Sequence, residues 1–257
     1  LIKDIENYYN FLIETTYQAG KLTLGYFQSN VAVEFKSDYT PVTIADQTAE
    51  DYIRSAVEKK YPHHAIVGEE RGNKETSGSA FRWIIDPIDG TKSFIRGVPL
   101  YATLVALEIE GEVQAGAAYF PALDELVCAA TGLGCYWNGR LARVSENSVL
   151  EKAFLTCTSP GNFTEPGKRE ALERLGKRTY FQAGWGDAYG YALVATGRVE
   201  IMLDPGMATW DAGPLLPILR EAGGYFGDWK GNPTIYGKEG MATNLPLLPQ
   251  VLEILNA

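Results

Sequence analysis

Trp83-Ile84-Ile85-Asp86-Pro87-Ile88-Asp89-Gly90-Thr91 carries an apolar run straight into two acids three residues apart. A short apolar run that stops at turn residues reads as a buried strand, so both carboxylates stand at a strand end. Pro87 fixes φ and stiffens the turn between them. The Ile88 carbonyl is then left beside both acids, giving three oxygen donors within four residues, a set that suits a hard cation such as Mg2+. Gly90 and Thr91 lead toward a helix start, where free N–H groups and the positive dipole end favour a phosphate oxygen. A bare Asp-Pro-x-Asp is as often a surface turn with a helix cap at Thr91, so the reading depends on what the rest of the chain adds.

Three other segments add acids. Gly68-Glu69-Glu70 closes the apolar run Ala65-Ile66-Val67, so one or both glutamates can point from a strand end to the same place. Asp211, in Thr209-Trp210-Asp211-Ala212-Gly213, sits in the first turn of an expected helix, where an acid ordinarily just compensates the dipole. Thr43-Ile44-Ala45-Asp46 has the form of a capping box, and Asp46 could be only its acid. Each signal is ambiguous alone. If four carboxylates converge, each pair about 4 Å apart repels by roughly 4 kcal/mol at an effective dielectric near 20, so the group needs cations to coexist. The adjacent His63 and His64 are not expected to ligate, because neighbours in an extended stretch face opposite ways.

The 257 residues can bury a substantial core as one large domain or two tightly packed halves. Hydrophobic residues make up 46% and charged residues 21%, which excludes disorder. A formal net charge of −9 argues against nucleic acid as the default partner, since phosphate backbones are bound by clustered Lys and Arg. Cys128, Cys135 and Cys157 show no CxxC spacing and read as buried thiols, for which a reducing cytoplasm is the expectation. No apolar run reaches about 18 residues, and no basic-then-apolar signal opens the chain, so neither a membrane span nor a signal peptide is expected.

Along the chain, Ile2, Ile5, Tyr8, Tyr9, Leu12 and Ile13 predict an amphipathic helix ending near Gly25, followed by a strand over Val31 to Phe35. A second helix runs from the capping box to about Tyr61. Thr103 to Glu110, Val113 to Phe120 and Glu125 to Ala130 read as antiparallel strands, and Asn138-Gly139 as a hairpin turn. From about residue 150 strands and helices alternate: strand Ala153 to Thr158, helix Lys168 to Leu175, strand Thr179 to Gln182, helix Tyr189 to Thr196, strand Val199 to Leu203. Helical residues after Thr209, a strand near Gly224 to Phe226 and a helix from about Leu247 complete the pattern. The fold class is therefore α/β (α+β). Residues 1–148 form an α+β half with an antiparallel sheet and most of the acids, and residues 149–257 an α/β half that supplies Asp211.

Taken together, Lys36-Ser37-Asp38 with Thr40 to Asp46, Gly68-Glu69-Glu70, Trp83 to Thr91 and Trp210-Asp211-Ala212-Gly213 resemble, in order and approximate spacing, the inositol monophosphatase superfamily of Mg2+-dependent, typically lithium-sensitive phosphatases. The resemblance covers nearly the whole chain. It implies a five-layered αβαβα sandwich, normally dimeric, and a metal set in which Glu69, Asp86 and the Ile88 carbonyl hold one ion, Asp86, Asp89 and Asp211 a second, and Glu69 a looser third. It further implies that Gly90 and Thr91 receive the phosphate, and that Glu69 and Thr91, with Asp46 behind them, orient the attacking water. Arg71 departs from the small residue that many members carry after the glutamate pair.

Two further segments, Thr91 to Pro99 and Gly184 to Gly197, are similar to the histidinol-phosphate phosphatase branch of that superfamily. L-histidinol phosphate brings an ammonium and an imidazole, which carboxylates such as Asp187 and Asp204 would complement, with Trp185 beside them. The bland reading has Asp187 starting a helix, Asp204 in an Asp-Pro turn and Trp185 filling a core position. Inositol-1-phosphate, sugar or nucleotide phosphates are the alternative substrates, and a catalytically silent metabolite-binding relative is the non-enzymatic alternative.

Overall fold

The computed structural model describes residues 4–37 and 39–257, so Ile2 and Asp38 lie outside the described residues. The first half comprises α1 (Ile5–Leu24), β1 (Val33–Phe35), β2 (Pro41–Thr43), α2 (Ile44–Lys60), β3 (Ala65–Gly68), β4 (Gly72–Lys74), β5 (Phe81–Asp89), α3 (Thr91–Phe94), β6 (Ala102–Ile109), β7 (Glu112–Phe120), β8 (Glu125–Ala130), β9 (Gly134–Trp137) and β10 (Arg140–Leu141). The second comprises β11 (Phe154–Cys157), α4 (Lys168–Gly176), β12 (Phe181–Ala183), α5 (Ala188–Ala195), β13 (Ile201–Asp204), α6 (Thr209–Ala212), α7 (Leu215–Glu221), β14 (Gly224–Gly227), β15 (Gly240–Asn244) and α8 (Leu248–Leu255).

Eight strands form the first sheet, in the order β10-β9-β8-β7-β6-β5-β3-β4, antiparallel throughout except where β3 runs parallel to β5. Alternation along these strands sorts their side chains onto two faces. Trp83, Ile85, Val105 and Leu107 meet Tyr9, Leu12, Ile53 and Val57 of α1 and α2, while Ile84, Leu104, Ala106 and Phe120 turn the other way. There they meet α5 and α7. The run Ala188-Tyr-Gly-Tyr-Ala-Leu-Val-Ala is apolar on all sides because α5 is buried on all sides.

The far side of this helical layer is covered by the second sheet, ordered β12-β11-β13-β15-β14, through Met202, Phe226 and Ala242. Its outer face, with Leu155, Ile201, Leu203 and Met241, carries Leu175 of α4 and Val251 of α8. Helices, sheet, helices, sheet and helices thus stack as the αβαβα sandwich.

Several boundaries differ from the pattern of the sequence. The first β-strand starts at Val33 rather than Val31, and β12 starts at Phe181 rather than Thr179. The second half is not purely α/β, because β15 inserts antiparallel between β13 and β14. Gly240-Met-Ala-Thr-Asn gave no strand signal: it is buried along its whole length, so it needs no alternation, and only Met241 is a large apolar residue. The short strands β2 and β4 also went unread. Asn138 and Gly139, both with positive φ, make the expected hairpin between β9 and β10.

Gly116 marks how closely the first sheet approaches the central helices. A β-carbon there would lie 2.4 Å from the Pro214 carbonyl oxygen and 2.6 Å from its Cα. Neither atom can move without shifting α7, so Gly116→Ala should cost about 1–3 kcal/mol or more as an overpacked contact. The check is the urea midpoint of unfolding. A midpoint equal to that of the parent would show that the layers yield at this point.

Candidate active site

The carboxyl ends of β3 and β5 in one sheet and of β11 and β13 in the other open onto a common cleft of about 480 Å3. Ligand sites in sheets with parallel strands favour such ends. Asp86 and Asp89 both face it, although residues three apart on a regular strand would point to opposite faces. The pairing explains this. Asp86 lies opposite Leu104 and Asp89 opposite Ala102, so three steps on β5 match two on β6 and the extra residue is a bulge. Pro87 sits in that bulge, where its carbonyl accepts from the Thr103 hydroxyl at 2.8 Å.

Local hydrogen bonds aim each acid. Asp86 Oδ1 accepts from the Ile88 N–H at 3.0 Å, and Asp89 Oδ2 from the Ala188 N–H that opens α5 at 2.8 Å. Asp211 reaches back to the Ala208 N–H at 2.9 Å, so its role at the start of α6 and its presence in the cleft are one geometry. Carboxylate oxygens of Asp86, Asp89 and Asp211 lie within 4.8 Å of one another. Burial, then the charges of Glu69, Asp211 and Asp89, pushes the Asp86 carboxyl well above the usual range. Burial followed by the charges of Asp187 and Asp211 does the same to Asp89. Burial raises Asp211 to about 6 and Asp204 to about 7.

Of the glutamate pair, only Glu69 lines the cleft. Lys36 Nζ joins the two, 2.8 Å from Glu69 and 2.7 Å from Glu70. Burial opposes the Lys36 charge, but these two carboxylates outweigh it and hold the amine above its usual range. Asp46 is both the capping acid and a neighbour of the cleft. Its Oδ2 accepts from the Thr43 N–H at 2.8 Å and the Thr43 hydroxyl at 2.7 Å, while Oδ1 lies 3.4 Å from the Thr91 hydroxyl. That hydroxyl is 3.0 Å from the Ile88 carbonyl. Gly90, with φ of 76°, turns the chain into α3, and both Gly90 and Thr91 line the cleft.

On the opposite wall stand Asp187 and Asp204. Asp187 Oδ1 accepts from the Thr158 hydroxyl at 2.8 Å and Asp204 Oδ1 from the Gly206 N–H at 3.1 Å. Among the described residues, the second oxygen of each accepts no hydrogen bond. Trp185 does not join them. It is neither in the core nor in the cleft lining, but 39% exposed with its ring against Phe181. His64 is structural and His63 is exposed outside the cleft lining. His64 Nδ1 accepts from the Trp83 indole N–H at 3.0 Å, and its ring stacks on Phe81. Arg71 forks onto Asp51, away from the cleft. The three cysteines are free and buried, and no helix among the described residues is long and apolar enough to cross a membrane.

Sequence reasoning gave no role to Lys36, and did not single out Thr158, Asn162, Lys92 or Met207, which line the cleft. Thr158 follows β11 directly, so the strand-end argument that flagged Glu69 and Asp86 could have found it. The site fits divalent cations by its chemistry. Hard oxygen donors converge from Asp86, Asp89 and Asp211, with Glu69 in the same lining and paired to Lys36, and among the described residues the only lysines or arginines in the lining are Lys36 and Lys92.

Residues 4–255 match the model of the inositol monophosphatase family. A histidinol-phosphatase from Chlorobaculum parvum is 42% identical over 90% of this chain and 89% of its own length. An inositol-1-monophosphatase from Mesorhizobium japonicum is 35% identical over 86% of this chain and 85% of its own. Among solved structures, the extragenic suppressor protein suhB from Bartonella henselae superposes with a TM-score of 0.90 at 29% identity, covering 96% of this chain and 97% of that one.

The raised carboxyls make metal-free stability fall as pH rises. For Asp204 and Asp211 the folded protein holds its protons more tightly than the unfolded chain does, with values of about 7 and 6 against an ordinary 3.8. Their contribution is therefore complete below about pH 4 and is lost as pH climbs through 6 and 7. In chelator the melting temperature should be higher at pH 5 than at pH 8, and added Mg2+ should raise it more at pH 8. Asp204→Asn should flatten the dependence. A chelated protein equally stable at both values would show that the acids are not crowded.

Proposed function

Since the chain belongs to the inositol monophosphatase family and is a phosphoric monoester hydrolase, we propose that it hydrolyses L-histidinol phosphate with Mg2+ as its metal. The observation that carries the substrate is the cleft wall. Asp187 and Asp204 stand outside the proposed metal set, and among the described residues one oxygen of each accepts no hydrogen bond, that of Asp187 lying beside Gly90. A neutral polyol can donate hydroxyl hydrogen bonds to such carboxylates but brings no charge to offset theirs, whereas an ammonium and a protonated imidazole do. The 42% identity to a histidinol-phosphatase supports the same choice.

Glu69, Asp86, Asp89, Asp211 and the Ile88 carbonyl would hold two or three ions. When bound, these supply the positive charge that neutralises the acids, draws electrons from the phosphoryl group and lowers the pKa of the attacking water. The chain's own groups then set the geometry. Asp46, fixed through its Oδ2 by Thr43, offers Oδ1 to the Thr91 hydroxyl, which can also donate to the Ile88 carbonyl. Either donation leaves the oxygen lone pairs of Thr91 to accept from the water, while Glu69 accepts its other proton. Gly90 and Thr91 receive a phosphate oxygen. Attack forms one P–O bond as the bond to the alcohol breaks; a second water protonates the departing alkoxide, and the hydroxide it leaves takes back the proton accepted by Glu69. A homodimer and inhibition by millimolar Li+ are further expectations of this reading.

Asp89→Asn should abolish turnover and leave the protein folded, since it removes a ligand charge without changing shape. Near-normal activity in a folded Asp89→Asn protein would overturn the metal assignment. Asp187→Asn should cost about 2–5 kcal/mol in kcat/KM for L-histidinol phosphate, the range for breaking a desolvated charge pair, and little for inositol-1-phosphate. If Asp187→Asn and Asp204→Asn affect both substrates alike, the amine argument fails and the inositol phosphate reading replaces it.

A further inference from the structure

Helix α2 carries a second acid on the face of Asp46. Glu50 lies one turn later, at the i+4 position that shares a helix face, and both side chains are wholly buried. Glu50 spends its oxygens on the turn that bears Glu69. Its Oε2 accepts from the Glu70 N–H at 2.7 Å, and its Oε1 accepts from the Arg71 N–H at 3.0 Å and from Arg54 Nε at 2.7 Å. Arg54 also donates to the Gly72 carbonyl. Gly68 makes the approach possible, since a β-carbon there would lie 2.2 Å from Glu50 Oε1. On its other side the turn is tied to β5, where the Glu69 N–H donates to the Ile85 carbonyl at 3.2 Å, next to Asp86.

We propose that Glu50 is a positioning residue for metal binding: by clasping the Glu70 and Arg71 N–H groups it aims Glu69 into the cleft, so that α2 sets Glu69 through Glu50 as it sets Thr91 through Asp46. Neither Glu50 nor Arg54 lines the cleft. The proposal rests on the reading of Glu69 as a metal ligand. It goes beyond that reading by making one helix the common reference for two groups that come from different strands. Outer groups that orient a ligand typically change metal affinity by about 10–100-fold when removed.

The test is Mg2+ binding to the full chain by isothermal titration calorimetry, at a temperature where circular dichroism shows each protein folded. Glu50→Gln keeps the side-chain volume and removes the charge, and its Mg2+ Kd should rise at least tenfold, within the range of about 10–100-fold. Loss of the carboxylate also strands the Arg54 guanidinium, which lowers stability by itself. The double variant Glu50→Gln with Arg54→Gln removes that stranded charge. It should regain melting temperature while its Kd stays raised, whereas a merely structural Glu50 would regain both together. Should Glu50→Gln fail to fold, the double variant and Gly68→Ala, which displaces the same carboxylate by contact, carry the comparison. An unchanged Kd in a folded variant overturns the proposal. Asp86→Asn is the control: if it binds Mg2+ normally the metal reading itself is wrong, and if it alone loses Mg2+ only the role of Glu50 is.

Discussion

The constraint on which the rest of the structure depends is the crowding of Asp86, Asp89 and Asp211, with oxygens within 4.8 Å, at the floor of the cleft, where Asp86 and Asp89 are buried and Asp211 is half-buried. Like charges so placed repel, and burial alone already disfavours each of them. A fold that keeps such a group must fix every member against relaxation, and the hydrogen bonds do so. Backbone N–H groups of Ile88, Ala188 and Ala208 each hold one carboxylate. These donors come from a bulged strand, the start of α5 and the start of α6, so the three acids stay together only while all three elements are docked. The energy that the apolar layers supply opposes a repulsion that bound cations or, at low pH, protons relieve, the arrangement expected where stability is given up for function.

The layering follows from that demand. Asp86 shares its strand face with Ile84, which looks toward the central helices. Those helices, in turn, are covered on their far side by the second sheet through Met202, Phe226 and Ala242. The apolar core between the sheets is therefore common to both halves of the chain, and the cleft opens where it ends. A shift of either sheet would separate Asp211 from Asp86 and Asp89. Helix α2, on the outer face of the first sheet, reaches the same cleft end-on, with Asp46 at its first turn behind Thr91.

Floor and wall of the cleft differ in what they ask of the sequence. The floor holds three acids, Asp86, Asp89 and Asp211, with oxygens within 4.8 Å of one another. The wall, with Thr158, Asp187 and Asp204, contributes no member of that cluster, although the charge of Asp187 still acts on Asp89.

The sequence by itself determined most of what is local. The capping box of Thr43 and Asp46, the hairpin at Asn138-Gly139 and the end of β3 at Gly68 all depend on neighbours a few residues apart, and all are legible. The αβαβα stack is implied by the resemblance and not by periodicity, since alternation of strands and helices does not say which faces meet. Tertiary structure alone decided three things. It made β15 a central strand, because burial on both faces removes the alternation that marks a strand. It turned Asp86 and Asp89 to one face, because the bulge exists only in the pairing with Leu104 and Ala102. It gave Lys36 and Glu50 their work at the Glu69 turn, across 33 and 20 residues of sequence from Glu69 and Glu70 respectively, because a carboxylate's partner is set by distance through space and leaves no period in the chain.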